Sequence, residues 1–240
     1  MDRVIYINKP YGMSSFGALA HVRYVMSRRL GVKRVKTGHA GTLDPLATGV
    51  LIICTGRMTK RVDELQRQTK EYTATLQLGA TTASYDREHT VNFVYPVTHI
   101  TRSLIERTLT RFTGEIEQVP PGYSACKING MPAYMLMRRG DDVELKARTL
   151  RIDEIELTGY DDATKRMSIR VVCGKGTYIR ALARDIGEAL GSGAFLTGLC
   201  RTRIGDVGLD DCISLDDFPA WLDKEIMRET TTEKKINDDK

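Results

Sequence analysis

Alternating hydrophobicity restricts the folds available to this chain more than any other feature. Within residues 70–79, KEYTATLQLG, apolar and polar side chains alternate from position 72 to position 78. The apolar face would consist of Tyr72, Ala74, Leu76 and Leu78. A period of two is typical of a strand with one buried face. Similar strand candidates are residues 3–8, 148–157 and 167–173.

Apolar residues at spacings of three and four predict helices between these strands. One stripe follows Ser14 and Ser15, either of which can cap the helix, and consists of Leu19, Val22, Met26 and Leu30. A second stripe, ended by Gly191, consists of Ile179, Leu182, Ile186 and Leu190. Ser103 and Glu106 predict a capping box for a third helix. Strands outnumber helices and come in adjacent pairs, which favours an α+β fold with a mixed, largely antiparallel central sheet flanked by helices.

Residues 38–49, GHAGTLDPLATG, follow neither period. Gly, Pro and Asp allow a chain to turn sharply, so this segment is expected to be a loop at a surface or a cleft. It holds one carboxylate, Asp44, and His39 precedes that residue by five positions. Taken alone, these residues favour a turn-forming role for Asp44.

The motifs that are missing exclude several classes of protein. The chain has no G-x-S-x-G motif, no G-x-x-x-x-G-K-[ST] phosphate loop and no pair of acids in comparable loops. Its five cysteines are widely spaced and form no CxxC motif, which argues against zinc and for a reducing compartment. No apolar run approaches the roughly 20 residues that span a bilayer, and the N-terminus does not resemble a signal peptide. We therefore expect a cytoplasmic protein with no bound metal and no membrane association.

The distribution of charge suggests a polyanionic partner. Residues 1–70 hold 13 Lys and Arg residues against 4 Asp and Glu residues, although the whole chain carries a net charge of only +5. Residues 206–240 hold 5 basic residues against 11 acidic ones. We expect one main domain over residues 1–205, followed by an acidic tail over residues 206–240 that is loosely docked or frayed.

Five blocks, in order over residues 8–205, together resemble the TruB-type pseudouridine synthases of bacterial tRNA. The blocks are NKPYGMSSF, GHAGTLDPLATGVL, KEYTATLQLG, QVPPGYSACKINGMPAY and GKGTYIRALARDIGEALGSGAFLTGLCRTRIG. The resemblance implies the catalytic fold of that family and an isomerase that converts uridine to pseudouridine at position 55, in the T-loop of tRNA. Such a reaction requires no cofactor, and the implied partner is tRNA. We expect the chain to act as a monomer that needs no protein partner.

The resemblance also assigns roles to single residues. It implies that Asp44 is catalytic, that Tyr72 stacks on the target uracil and takes part in proton removal, and that Arg180 pairs with Asp44. By pattern alone, Tyr72 would be a core residue and Arg180 a solvated one. The resemblance further implies substrate-binding positions at His39, Tyr178, Leu199, Lys9 and Lys127, the two lysines lying near the RNA or the fold core. Charge adds a set of candidate contacts to the RNA backbone, Arg28, Arg29, Lys33, Arg34 and Lys36.

The sequence departs from the family pattern at three points, and two other functions remain as alternatives. Ala40 stands where the family usually has Thr, and the segment 81–89 keeps an acid at Asp86 but lacks the usual final Gly. Only 35 residues follow Gly205, too few for the RNA-binding PUA domain of many relatives. The rival functions are an RNA-binding or tRNA-folding module and a hydrolase of N-glycosidic bonds. Asp44 is open to two roles, as a nucleophile or as a base.

Overall fold

The computed structural model describes residues 1–141 and 143–238. In this part of the chain the helices are α1 Ser15–Arg29, α2 Val62–Arg67, α3 Arg102–Leu109, α4 Ala133–Arg139, α5 Ile179–Ala189 and α6 Phe218–Asp238. The strands are β1 Val4–Lys9, β2 Thr37–His39, β3 Thr48–Thr55, β4 Lys70–Leu78, β5 Ala80–Thr82, β6 Val91–Val94, β7 Gly114–Gln118, β8 Lys127–Ile128, β9 Met131–Pro132, β10 Arg148–Asp161, β11 Arg166–Cys173, β12 Ala194–Ile204 and β13 Val207–Gly208.

The chain divides into two compact units. The first unit combines residues 1–67 with the segment from Asp206 onward, and the second unit is residues 68–205. The first unit is therefore built from two segments that are far apart in the sequence.

In the first unit, helix α1 packs its apolar stripe on a small antiparallel sheet. Strand β3 pairs antiparallel with both β1 and β2. The core of this unit joins residues of β1, α1, β3 and α6, among them Ile7, Val22, Ile53 and Phe218. Ser14 caps helix α1, because its side chain accepts a hydrogen bond from the N–H of Gly17.

The described part of the acidic segment is folded, where the sequence predicted a loosely docked or frayed tail. Phe218 and Leu222 of α6 are completely buried in the core of the first unit. Ile213 makes a parallel bridge with Ile7, and Arg3 forms ion pairs with Glu225 and Glu229 at 3.3 and 2.8 Å. The segment is docked because its acids lie beside basic N-terminal residues and its apolar side chains pack into the core of the first unit. The outline of a catalytic domain over residues 1–205 stays a prediction.

The second unit is built on a sheet of five strands in the order β12-β4-β11-β10-β7, with antiparallel neighbours throughout. Helix α5 packs on β12 and β4, and α3 packs on β10. A Cβ at Gly187 of α5 would overlap the backbone of Ala194, so only glycine allows the helix to approach β12 so closely. Two short ribbons, β5–β6 and β8–β9, complete the unit. The α+β fold with a mixed, largely antiparallel sheet is confirmed, since antiparallel pairs dominate and the bridge between Ile7 and Ile213 is parallel.

Candidate active site

In the first unit, Asp44 lies in the loop that joins β2 to β3. The side chain is half-buried, and the Asp44 carbonyl accepts a hydrogen bond of 3.1 Å from the N–H of Ala47, which closes a turn. The residue before it is anchored to helix α1. The Ser15 hydroxyl accepts a hydrogen bond from the N–H of Leu43 at 2.7 Å and donates one to the carbonyl of Leu43 at 2.9 Å. A carboxylate on this loop is thus held at a defined place by a buried side chain.

Lys9 supports the same loop from the interior. Its side chain is completely buried, and Nζ donates hydrogen bonds to the carbonyls of Pro10, Met13 and Pro45 at 2.9, 2.6 and 3.4 Å. The N–H of Gly12 also donates to the carbonyl of Pro45, at 2.9 Å. These contacts favour the fold-core alternative for Lys9 over direct substrate binding.

His39 ends strand β2, where it pairs with Ile53 of β3, and its side chain is half-buried. The predicted contacts to the RNA backbone are Arg28, Arg29, Lys33, Arg34 and Lys36, and all five are exposed. Arg29 also forms an ion pair with Asp223 at 2.8 Å, so one of these cations already faces an acid of the same unit.

In the second unit, Tyr72 lies on the buried face of strand β4. It shares that face with Ala74, Leu76 and Leu78, all of them buried, while Thr73 between them is exposed. Its neighbours across the sheet are Val171 of β11 and Arg201 of β12. The alternation predicted from the sequence is therefore present in the structure.

Two β-bulges in β12 bring Leu199 and Arg201 to the face that holds Tyr72. Leu196 pairs with Leu76 and Gly198 with Thr75, so that Thr197 is an extra residue. Thr202 is extra in the same way between Arg201 and Arg203. Since each bulge shifts the alternation by one, Leu199 stands opposite Ala74 and Arg201 opposite Tyr72.

Side chains of the bulge residues fix both irregularities. The hydroxyl of Thr197 donates to the carbonyl of Thr75 at 3.2 Å, and that of Thr202 donates to the carboxylate of Glu71 at 2.8 Å. Glu71 also accepts from Arg170 and Arg203, at 2.8 and 3.2 Å. This network ties three strands together directly beside Tyr72.

Lys70 and Arg201 are buried cations on the Tyr72 face that the sequence analysis did not single out. Arg201 is almost fully buried, and Lys70 is buried beside it. Burial, followed by the nearby charge of Arg201, lowers the pKa of Lys70 to about 8. A signal for Lys70 existed in the sequence, since it precedes Tyr72 by two positions and so shares its face. The bulges hid the corresponding signal for Arg201.

Arg180, the second residue of α5, is buried with its guanidinium held by three groups. It donates to the carbonyls of Ser84 and Tyr123 at 3.1 and 3.0 Å, and its Nε lies 3.7 Å from a carboxylate oxygen of Asp86. The helical pattern alone predicted a solvated Arg180, which is incorrect. A buried arginine with several acceptors is a rigid donor of fixed direction.

The Asp86 carboxylate is itself held in place. It accepts hydrogen bonds from the Ser84 hydroxyl at 2.5 Å and from the N–H of Glu88 at 2.9 Å. Tyr85 between them adopts a left-handed conformation with φ of 58°. The segment that lacks the family's glycine thus still presents its acid to Arg180.

Tyr178 and Lys127, the other predicted substrate residues, have contrasting environments. The N–H of Tyr178, at the start of α5, donates to the side-chain oxygen of Gln118 at 2.9 Å. Burial, together with the nearby Cys126, raises the pKa of the Tyr178 hydroxyl. Lys127 is exposed on the β8–β9 ribbon, where a contact to RNA is sterically open.

The described residues 1–141 and 143–238 contain no group of three His, Cys, Asp or Glu side chains arranged to hold a metal ion. Within the same residues, every helix is too short or too polar to cross a membrane.

Comparison with known proteins places this chain among the pseudouridine synthases. The model of the TruB family pseudouridylate synthase N-terminal domain matches residues 28–179, and that of the tRNA pseudouridylate synthase B C-terminal domain matches residues 180–237. The C-terminal match is thus to a domain other than PUA. The chain belongs to the TruB family of pseudouridylate synthases.

Relatives and solved structures agree with this assignment. The chain is 60% identical over 230 residues to the tRNA pseudouridine synthase B of Phocaeicola vulgatus, covering 96% of this chain and 97% of that one. It is 61% identical over 224 residues to the protein of the same name from Bacteroides thetaiotaomicron, covering 92% and 93%. Among solved structures, a Cbf5-Nop10-Gar1 complex matches with a TM-score of 0.68 and 30% identity, covering 91% of this chain and 54% of the other.

Proposed function

We propose that this chain converts uridine to pseudouridine at position 55 in the T-loop of tRNA, with Asp44 as the catalytic residue. The observation that carries the proposal is the 60% identity, over nearly the whole of both chains, to an enzyme named tRNA pseudouridine synthase B. The anchoring of the Asp44 loop by Ser15 and Lys9 supports the choice of residue.

The reaction breaks the bond from C1′ of the ribose to N1 of uracil, turns the base and forms a bond from C1′ to C5. The hydrogen lost from C5 is replaced by one at N1, so no atom or electron is gained overall. A single carboxylate is enough for this reaction. It can act as a nucleophile that bonds covalently to the ribose or the uracil, or as a general base that removes a proton from the ribose. Asp44 fills this role in our proposal.

The second unit supplies the surroundings of the target base. A flipped-out uracil costs a few kcal/mol of unstacking and needs an aromatic or apolar surface in return. Tyr72 and Leu199, on one face of neighbouring strands, are our candidates for that surface. Arg180, with its direction fixed by Ser84, Tyr123 and Asp86, is proposed to pair with the Asp44 carboxylate.

His39, Tyr178 and Lys127 complete the proposed substrate contacts, and the five basic residues from Arg28 to Lys36 are proposed to bind RNA phosphates. We further propose that the chain works as a monomer in the cytoplasm and needs no protein partner. Size-exclusion chromatography of the active preparation, with and without tRNA, measures its oligomeric state directly.

Incubation of the purified chain alone with an unmodified tRNA transcript tests the function. We expect pseudouridine at position 55 by chemical mapping, with all of the base retained in the RNA. Free uracil in solution would indicate a glycosidic hydrolase instead. Binding of tRNA without any conversion would indicate a binding or folding module.

The variant Asp44→Asn tests the residue. It should retain tRNA affinity within a few-fold and lose at least about a hundredfold in rate, because one positioned acid–base group contributes about 10²–10⁴-fold. Asp63→Asn is the matched control, since Asp63 is an exposed acid on α2 of the same unit. A rate for Asp44→Asn close to that of Asp63→Asn would remove Asp44 from the mechanism.

A further inference from the structure

Three large aromatic side chains are exposed on the unit that carries Asp44. Tyr11, Phe16 and Tyr24 have 61%, 64% and 64% of their surface accessible. None of them belongs to the predicted site. Exposed aromatic rings grouped on one surface indicate a contact with another molecule.

Tyr11 and Phe16 are next in sequence to residues that contact the Asp44 loop, and Phe16 and Tyr24 lie along one row of helix α1. Phe16 follows Ser15, which anchors Leu43, and Tyr11 precedes Gly12, which donates to the carbonyl of Pro45. Phe16, Ala20, Tyr24 and Arg28 are spaced by four, so they form one row on the helix surface.

Several cations stand near these rings in the sequence, although Lys9 is buried and Arg3 and Arg29 are paired with acids of α6. Residues 3–43 contain eight Lys and Arg residues and no Asp or Glu. The guanidinium of Arg23 lies 5.9 Å from the ring centroid of Phe16, within the range of a cation–π contact. Aromatic rings interleaved with cations are the composition that binds single-stranded nucleic acid, since rings stack on bases and cations neutralise phosphates. The exposed cations Arg28, Lys33, Arg34 and Lys36 attract a polyanion, whereas an uncharged protein surface would not use them.

We infer that the aromatic row, defined as Phe16 and Tyr24 of α1, together with Tyr11 in the turn before the helix, binds unpaired bases of the tRNA by stacking. The inference rests on the proposed function, because it supplies that reaction with a further part of its RNA-binding surface. Arg23 holds the Phe16 ring in place, and the neighbouring cations bind the backbone of the same RNA segment.

The experiment replaces rings while keeping apolar bulk. In Phe16→Leu and Tyr24→Leu, the Kd for unmodified tRNA should rise at least about fivefold for each ring that no longer stacks. The slope of log K against log salt should not change, because every bound phosphate keeps its cation. Phe16→Tyr and Tyr24→Phe keep the ring and should retain the wild-type Kd.

Phe93→Leu is the matched control. Phe93 is 65% exposed, close to the 64% of Phe16, but it lies on β6 of the second unit, so its substitution should leave the Kd unchanged. An unchanged Kd for Phe16→Leu and Tyr24→Leu, or an equal loss for Phe93→Leu, would overturn the inference. So would self-association of the wild type, seen by sedimentation and abolished by Phe16→Leu, because the row would then be a contact between copies. Wild-type isomerisation is measured in the same preparations, so failure of the proposed function is recognised separately.

Discussion

The Ser15 hydroxyl forms hydrogen bonds with both the N–H and the carbonyl of Leu43, at 2.7 and 2.9 Å. Ser15 belongs to the first turn of helix α1, and Leu43 directly precedes Asp44. One buried hydroxyl therefore links the position of the loop carboxylate to the helix. This contact leads to a prediction that separates positioning from stability.

In Ser15→Ala, the turnover of saturating tRNA should fall by about tenfold or more, because small displacements of a reacting group are costly, while the Kd for tRNA changes little. Ser14→Ala is the control: it removes the N-cap of the same helix and should cost about 1 kcal/mol of unfolding free energy without changing turnover. Single-turnover kinetics and urea unfolding are measured for both variants. Equal turnover in the two would show that Ser15 is only a structural residue.

Asp86→Asn should destabilise the second unit and slow the reaction. Arg180 and Asp86 are both buried, and removal of one charge from a buried pair costs about 3 kcal/mol or more. Asp153→Asn breaks an exposed pair with Arg151 and should cost less than about 1 kcal/mol. Urea unfolding and the rate at saturating tRNA give both quantities. A loss for Asp86→Asn no greater than for Asp153→Asn would contradict the prediction.

The ionisation of Glu71 should make the free energy of unfolding depend on pH in the acidic range. Partial burial alone would raise the pKa of Glu71, but hydrogen bonds from Thr202, Arg170 and Arg203 outweigh it and lower the pKa. The stabilisation is then complete above the unfolded-state pKa of about 4.3 and is lost as the pH falls through the lower folded-state value.

The difference in unfolding free energy between wild type and Glu71→Gln should therefore be constant near pH 7 and shrink toward pH 3. Thr73→Ala, at an exposed position of the same strand, introduces no change in titratable groups and should give a difference that does not depend on pH. Urea titrations at several pH values measure both. A Glu71→Gln difference that persists at pH 3 would exclude the network as its source.

Lys33→Glu with Arg34→Glu should weaken tRNA binding and reduce the salt slope by about one for each phosphate that is no longer bound. These two residues are chosen because they are exposed, whereas Arg29 is engaged with Asp223. Arg107→Glu with Arg111→Glu, at exposed positions of the second unit, is the matched double variant. An identical slope for the two double variants would place the RNA on a different surface.

Periodicity predicted the parts of the fold where burial follows directly from spacing. The buried face of β4 and the apolar stripes of α1 and α5 agree with the sequence, since Leu76, Val22 and Ile186 are all fully buried. In each case one face of a regular element meets the core, and the period alone identifies that face.

Hydrogen-bond acceptors that are distant in the sequence explain the burial of Arg180, which the helical periodicity did not predict. Arg180 is buried because Ser84 and Tyr123, far away in the sequence, supply carbonyls to its guanidinium.

The predicted capping box of Ser103 and Glu106 is also wrong, because the side chain of Thr101 accepts a hydrogen bond from the N–H of Leu104 and α3 begins earlier. Both Thr101 and Ser103 are suitable caps, so local sequence could not choose between them.

The two bulges of β12 mislead any prediction that assumes that every second side chain of this strand faces the same side of the sheet. Ala194, Leu196 and Ile204 stand opposite Leu78, Leu76 and Lys70, and all belong to one frame of the alternation. Thr197 is an extra residue that shifts the alternation by one position, and Thr202 is a second extra residue that restores the original alternation. Only the side chains of the four residues between them, which include Leu199 and Arg201, lie on the face opposite to the one that an unbroken alternation predicts. Substitutions chosen by hydropathy alternation would therefore treat Leu199 as a surface residue, and would do so at the point where the strand faces the target base in our proposal.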